Sequence, residues 1–255
     1  MLRRIGPLLP IARTARDNLN RAFPDWTNTE IAGLLDGMWD HLGRVAAEHP
    51  HLASIATGDG GRRIETAGEE HLLRLRNRPV IFVSAHFGNW ELCPALLSRL
   101  GLPFTAVVRP PNNPYVARHL AALRQSSATG RFVAKGAGAG RAAASALARG
   151  EAVALLADQR RSKGIEIRFL GRPALATGTP AVLALRFGAA VVPGRIERVD
   201  GVRFRAIFDR PLDPPASGDR TEQVRALTQA IADRIEVWVR ERPEQWLWTH
   251  RRWRM

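Results

Sequence analysis

The stretch Val83-Ser84-Ala85-His86-Phe87-Gly88-Asn89-Trp90-Glu91 places a histidine and a carboxylate five residues apart. An imidazole whose one nitrogen is held by a carboxylate can accept a proton at the other, which is the chemistry of a general base. No serine or cysteine nucleophile is required if the attacking group is a hydroxyl of the substrate. On a continuous helix a spacing of five is awkward, because side chains three or four apart are the neighbours. It becomes workable if His86 precedes the helix. The apolar run from Pro79 to Ala85 reads as a buried strand, and Phe87-Gly88 as the turn that follows it. Asn89 reads as the N-cap of a helix continuing through Leu92 to Leu100 and closed by Gly101. Glu91 then falls in the first helical turn, where the macrodipole favours a carboxylate. It is expected to accept a hydrogen bond from His86. Each residue alone also has an ordinary reading, as a turn histidine and a first-turn glutamate.

The elements that would carry this corner alternate from residue 79 onward. Strands are expected near 79–85, 104–108, 131–134 and 151–157, with helices at 90–100, 114–125 and 139–149. A strand at 165–169, a helix at about 178–187, strands near 190–196 and 202–208, and a helix at about 219–241 follow. Such alternation implies an α/β fold, a layered α/β/α sheet. Ahead of it, residues 10–22 and the capping-box start Thr27-x-x-Glu30, followed by Ile31, Leu34, Leu35, Met38, Leu42 and Val45 on one face, predict helices. The expected division is an N-terminal helical segment, 1–75, packing on a main domain, 76–255. His41, His51 and His71 read as surface or satisfied histidines.

Open α/β sheets bind ligands just beyond their strand ends. His86, Arg109 in VVRPPNNP, and Asp158-Gln159 in ADQRR all fall at such ends, so three segments point polar groups at one edge. Arg109, stiffened by Pro110-Pro111, has the fork to bind a phosphate or carboxylate. Asp158 suits either bonding an acceptor hydroxyl or orienting a basic side chain, and short carboxylates also cap turns. Arg160, Arg161, Lys163 and Arg172 read as a possible phosphate-facing rim or as solvated charges. The Gly136-Ala-Gly138-Ala-Gly140 run lacks both the GxGxxG and the P-loop pattern and reads as a turn and helix start. No GxSxG elbow and no HExxH metal spacing occurs.

Net charge is +14 over 255 residues. Residues 1–80 hold 11 basic against 10 acidic residues, whereas residues 81–200 hold 16 against 6. The excess thus surrounds the His86 stretch and suits an anionic partner. The one cysteine, Cys93, excludes a disulfide framework and reads as a small buried hydrophobe. No signal peptide or transmembrane run is evident, the Ile5 to Ala12 stretch being short and broken by Pro7 and Pro10.

His86 and Glu91 in the context SAHFGNWE resemble the HxxxxD/E motif of glycerolipid-type acyltransferases and, more narrowly, the lauroyl/myristoyl acyltransferases of lipid A biosynthesis. The resemblance extends to ARDNLNRAFPDW near the N-terminus, to Asp158-Gln159, to FLGRPALATGTPAVLALRFGAAVVPG and to the ending Arg242-Pro-Glu-Gln-Trp-Leu-Trp-Thr-His-Arg-Arg. It implies transfer of an acyl chain from acyl carrier protein to a hydroxyl of an anionic lipid A precursor. It also implies a position at the cytoplasmic face of the bacterial inner membrane. In that reading His86 and Glu91 are catalytic. Arg109, Asn89, Asp158, Gln159 and Arg160 bind substrate, backbone amides near Gly88 stabilise the oxyanion, and neither metal nor cofactor is called for. Members of that family commonly begin with a hydrophobic anchor. Its absence here implies either a chain that starts late or peripheral binding, with the tail tryptophans and arginines as an interfacial surface. Aromatic-basic runs also bind nucleic acid, but none is expected here. Transfer to another glycolipid or lysophospholipid, and a non-catalytic lipid- or nucleic-acid-binding protein, are the alternatives.

Overall fold

Val80–Ser84 is buried along its whole length. Ile81 and Val83 enter one hydrophobic core, Val80 and Phe82 another. That is the signature of a central parallel strand covered on both faces. The protein, seen here in a computed structural model, is described over residues 1–214 and 217–253.

Its helices are α1 (Leu2–Ile5), α2 (Ile11–Ala22), α3 (Asn28–Glu48), α4 (Leu52–Thr57), α5 (Glu70–Leu73), α6 (Cys93–Arg99), α7 (Pro114–Ser127), α8 (Ala137–Ala148), α9 (Thr179–Phe187) and α10 (Arg220–Glu241). The strands are β1 (Ile64–Ala67), β2 (Val80–Ser84), β3 (Phe104–Val108), β4 (Arg131–Ala134), β5 (Ala152–Leu156), β6 (Ile165–Phe169), β7 (Arg172–Ala176), β8 (Ala190–Asp200) and β9 (Arg203–Phe208). Seven of them form one sheet in the order β1-β9-β8-β2-β5-β3-β4. Only the β8–β9 pair in it is antiparallel. β6 and β7 form a separate hairpin whose turn residues, Leu170 and Gly171, both have positive φ. The expected layered α/β architecture is therefore present.

Two strands depart from the sequence expectation. β1 comes from the segment assigned to helices and joins the sheet edge through β9. β7 carries Pro173, which a two-stranded hairpin tolerates because its outer edge needs no donor. The helices at each end fold as their caps dictate. Thr27 and Glu30 close a capping box on α3, and Asp219 and Glu222 do the same for α10.

The C-terminal tail is not an interfacial surface. Trp246, Trp248 and Trp253 are 1%, 0% and 4% exposed, and Arg252 is buried beside them. They pack with Leu19, Ile31, Met38 and Trp39 of α2 and α3. Asn18 donates to the carbonyls of Trp248 and His250, tying the tail down. Burying three indoles against two amphipathic helices removes far more apolar surface from water than an interfacial tail would. Arg251 is exposed, and Arg254, also expected at the membrane, lies outside the described residues.

Candidate active site

β2 and β5 run parallel with Ser84 opposite Leu156, and Ala157 N donates to Ser84 O at 2.9 Å. Two residues beyond that rung on each strand stand His86 and Asp158. The register thus makes them cross-strand partners, and His86 Nδ1 lies 2.8 Å from Asp158 Oδ1. The other carboxylate oxygen, Oδ2, accepts from His86 N and from Trp246 Nε1, both at 2.9 Å. Burial pushes the Asp158 carboxyl up, but the imidazoles of His86 and His250 and these hydrogen bonds outweigh it and hold the group well below the usual range. An ionised carboxylate can only accept, so Nδ1 of His86 carries the proton and Nε2 offers a lone pair. Edge-on contacts from Trp90 and His250, at 5.2 and 5.0 Å between ring centres, fix the ring.

His86 borders a cavity of about 370 Å³ whose wall is largely apolar, with Phe82, Ala106, Val108, Ala143 and Leu183 among its residues. Cys93 also borders it. Burial lifts its thiol to about 12, which removes it as a nucleophile near neutral pH.

Glu91 faces the same cavity but does not meet His86. Arg124 clamps its carboxylate with two hydrogen bonds, at 2.8 and 2.7 Å, and His49 Nε2 lies 3.7 Å away. Burial opposes ionisation, yet the bonds from Arg124 and His49 prevail and hold the carboxyl down at about 2. The expected His86–Glu91 hydrogen bond is therefore replaced by His86–Asp158. The guanidinium fork satisfies both oxygens of a buried carboxylate, which a single imidazole N–H cannot. Arg124 and His49 carry no signal in the sequence, and Trp246 reads there only as an interfacial aromatic, not as a partner of Asp158. Arg124 sits in the last turn of α7, where a basic residue is commonplace, and nothing local marks it.

Asn89 holds the N-cap position, but of a single 3-10 turn, Trp90–Leu92, that precedes α6, and its side chain makes no capping hydrogen bond. Asn89 is fully buried and lies away from the cavity, its Nδ2 donating to Glu48 Oε2 at 2.8 Å. Glu48 is gripped in turn by Arg198, and His41 Nε2 donates to Gly88 O at 3.1 Å. Burial brings the His41 imidazole down to about 4, so it is neutral near pH 7. Nor are the Gly88 and Asn89 amides free for an oxyanion, since they donate to Gln245 O and Ile196 O. Gly88 has φ +55, and a Cβ there would fall 1.8 Å from Ile196 O, so only glycine permits this approach. The turn after His86 is thus fastened from three sides.

Arg109 and Gln159 border the cavity, and Arg161 does so where Arg160 does not. Asp158 acts behind His86 rather than on the cavity wall. Among the described residues, His86, Asp158 and His250 bring donor atoms within 4.8 Å of one another. Asp158 already accepts three hydrogen bonds there, one at Oδ1 and two at Oδ2.

The sequence model of the family described as bacterial lipid A biosynthesis acyltransferase matches residues 5–255. No individually curated protein matches the sequence significantly. Among solved structures, the 1-acyl-sn-glycerophosphate (LPA) acyltransferase from Thermotoga maritima is similar with a TM-score of 0.44 and 15% identity. That likeness covers 89% of this chain and 91% of that one, and it is too distant to bear on function.

Proposed function

We propose that this chain, which belongs to the bacterial lipid A biosynthesis acyltransferase family and is an acyltransferase, moves a fatty acyl chain from acyl carrier protein to a hydroxyl of a lipid A precursor, with His86 as general base. The carrying observation is the His86 imidazole, fixed by buried Asp158 and presenting Nε2 beside an apolar cavity. In this mechanism Nε2 takes the proton of the acceptor hydroxyl as its oxygen attacks the thioester carbonyl. The Asp158 carboxylate stabilises the imidazolium that forms. Collapse of the tetrahedral intermediate expels the thiolate, which recovers the proton from Nε2. Glu91 contributes through Arg124. It holds that guanidinium at the cavity wall by Nε and Nη2, leaving Nη1 for a substrate oxygen. The apolar wall accommodates the acyl chain.

No helix among the described residues is long and apolar enough to cross a membrane. The proposed site of action is the cytoplasmic face of the bacterial inner membrane, with peripheral attachment. Its support is the exposed apolar group Ile5, Leu8, Leu9 and Ile11, flanked by exposed Arg3, Arg4 and Arg13. Such a mixture suits an anionic interface.

The test is transfer from acyl carrier protein to a purified precursor by His86→Ala. Loss of the base is expected to cost ~10²–10⁴-fold with the fold intact. Near-normal transfer by the folded variant sinks the mechanism.

A further inference from the structure

At the open end of the cavity three cations meet without an anion. Val108 of β3 pairs with Ala134 of β4, and Lys135 N donates to Val108 O at 2.8 Å, so the parallel register continues one step. Arg109 and Lys135 therefore occupy adjacent positions at neighbouring strand ends. Like charges side by side on a sheet destabilise it. Arg161, three residues past Asp158, borders the same cavity. Burial lowers the Lys135 ammonium's proton affinity, and the charges of Arg161 and Arg109 lower it further. Among the described residues none of the three has an ion pair or a side-chain hydrogen bond. The cavity's one carboxylate, Glu91, is already committed to Arg124.

The backbone adds to this field. α8 begins at Ala137, immediately after Lys135-Gly136, and no side chain caps it. Its first-turn N–H groups and the positive end of its dipole thus lie next to Lys135. A Cβ added at Gly136, Gly138 or Gly140 would meet nothing within 4 Å, so the space in front of that turn is open. Folding has assembled repelling charges at a cavity mouth and has left the compensating anion to a ligand.

We propose that Arg109, Lys135 and Arg161, with the first turn of α8, form a phosphoryl-binding site at the mouth of the cavity. Three cations and a helix N-terminus match the charge and the multiple acceptor oxygens of a phosphate mono- or diester. Two substrates of the proposed reaction would bring this chemistry: the phosphodiester of the carrier protein's pantetheine arm, and a phosphate on the lipid acceptor. In that respect the inference rests on the proposed function; the binding itself does not.

The first arm needs no turnover. Pyrophosphate and 4′-phosphopantetheine are titrated calorimetrically into His86→Ala protein, with and without Lys135→Gln and Arg161→Gln. Each added substitution is expected to weaken binding about tenfold, the size of one charge-assisted contact. Pyrophosphate should raise the melting temperature of the parent but not of the Lys135→Gln, Arg161→Gln form. Without ligand, Lys135→Gln should leave the melting temperature equal or higher, because it removes a repulsion. Binding that is absent in the parent, or unchanged by the substitutions, overturns the proposal. So does a fall in ligand-free stability, which would make Lys135 structural.

The second arm separates the sources. Transfer by otherwise native Lys135→Gln protein is measured with acyl-phosphopantetheine against acyl-pantetheine, and with acceptors bearing or lacking phosphate. The penalty should vanish for the substrate that lacks the phosphate the site holds. A penalty that persists with every dephosphorylated substrate, or appears only with intact carrier protein, overturns the site in favour of a protein-docking surface. If transfer fails altogether while probe binding behaves as expected, the acyl-transfer reading falls and the site stands.

Discussion

Two histidine–carboxylate contacts lie near the same cavity, and they are built differently. In His86–Asp158 the carboxylate has no guanidinium on it, and its donors are an imidazole, an indole and a backbone N–H. Its negative charge is therefore available to an imidazolium. In His49–Glu91 the carboxylate is already neutralised by Arg124, and the imidazole stands off at 3.7 Å. Glu91 still raises the proton affinity of His49, but its two close hydrogen bonds are spent on Arg124. The first pair is organised to answer a change in protonation, whereas the second is organised to hold a cation still.

Asp158→Asn breaks the comparison most directly. An amide can turn its NH₂ toward His86 and impose the other tautomer, so transfer is expected to fall ~10²–10⁴-fold with little change in acceptor affinity. Glu91→Gln should act first on stability, since it leaves Arg124 buried with half its partner. A loss of ~3–5 kcal/mol by denaturant unfolding is expected. If Glu91→Gln instead unfolds normally and transfers as poorly as Asp158→Asn, the two carboxylates share one role.

Acid separates the two regions further. His41 has a folded pKa near 4 against the ordinary 6.5. As pH falls the unfolded chain gains its proton first, so stability present above about pH 6.5 is lost toward pH 4. His250, brought down to about 4 chiefly by burial, acts in the same window. The loss from His41 reaches ~3 kcal/mol at most. Glu91 is depressed the other way, and its stabilisation is lost only lower, from about 4.5 down to about 2. Unfolding free energy against pH should therefore fall in two steps, and His41→Gln should shrink the upper one alone, leaving the part due to His250. A single step below pH 4.5 contradicts this.

The smallest effect is expected at the surface. Leu8 is 82% exposed, and Leu8→Glu should weaken co-sedimentation with anionic vesicles roughly tenfold, about the burial of one leucine. Equal binding would move the membrane contact elsewhere.

The sequence made the strand-turn-helix corner legible because a short β-branched apolar run and a glycine turn are local signals. It also placed His86, Arg109 and Asp158 at one sheet edge. What it did not reveal was which strands are neighbours. β2 and β5 are far apart in the chain, and only their pairing puts His86 opposite Asp158 rather than Glu91. The tail was misread for a related reason. A run of tryptophans and arginines has the same composition at a membrane as in a core, and only the grooves of α2 and α3 decide between them. Arg124 and the Glu48–Arg198 pair carry no local pattern at all.

Trp246 completes the Asp158 shell from 88 residues further along the chain, and Leu247 N holds His86 O at 3.0 Å. During synthesis β2 and β5 can pair as soon as both have emerged. Asp158 must still wait for the tail before its third donor, the Trp246 indole, joins the two from His86. The pair proposed to move the proton is thus fully bonded only once the tail has docked on a sheet and helices already formed.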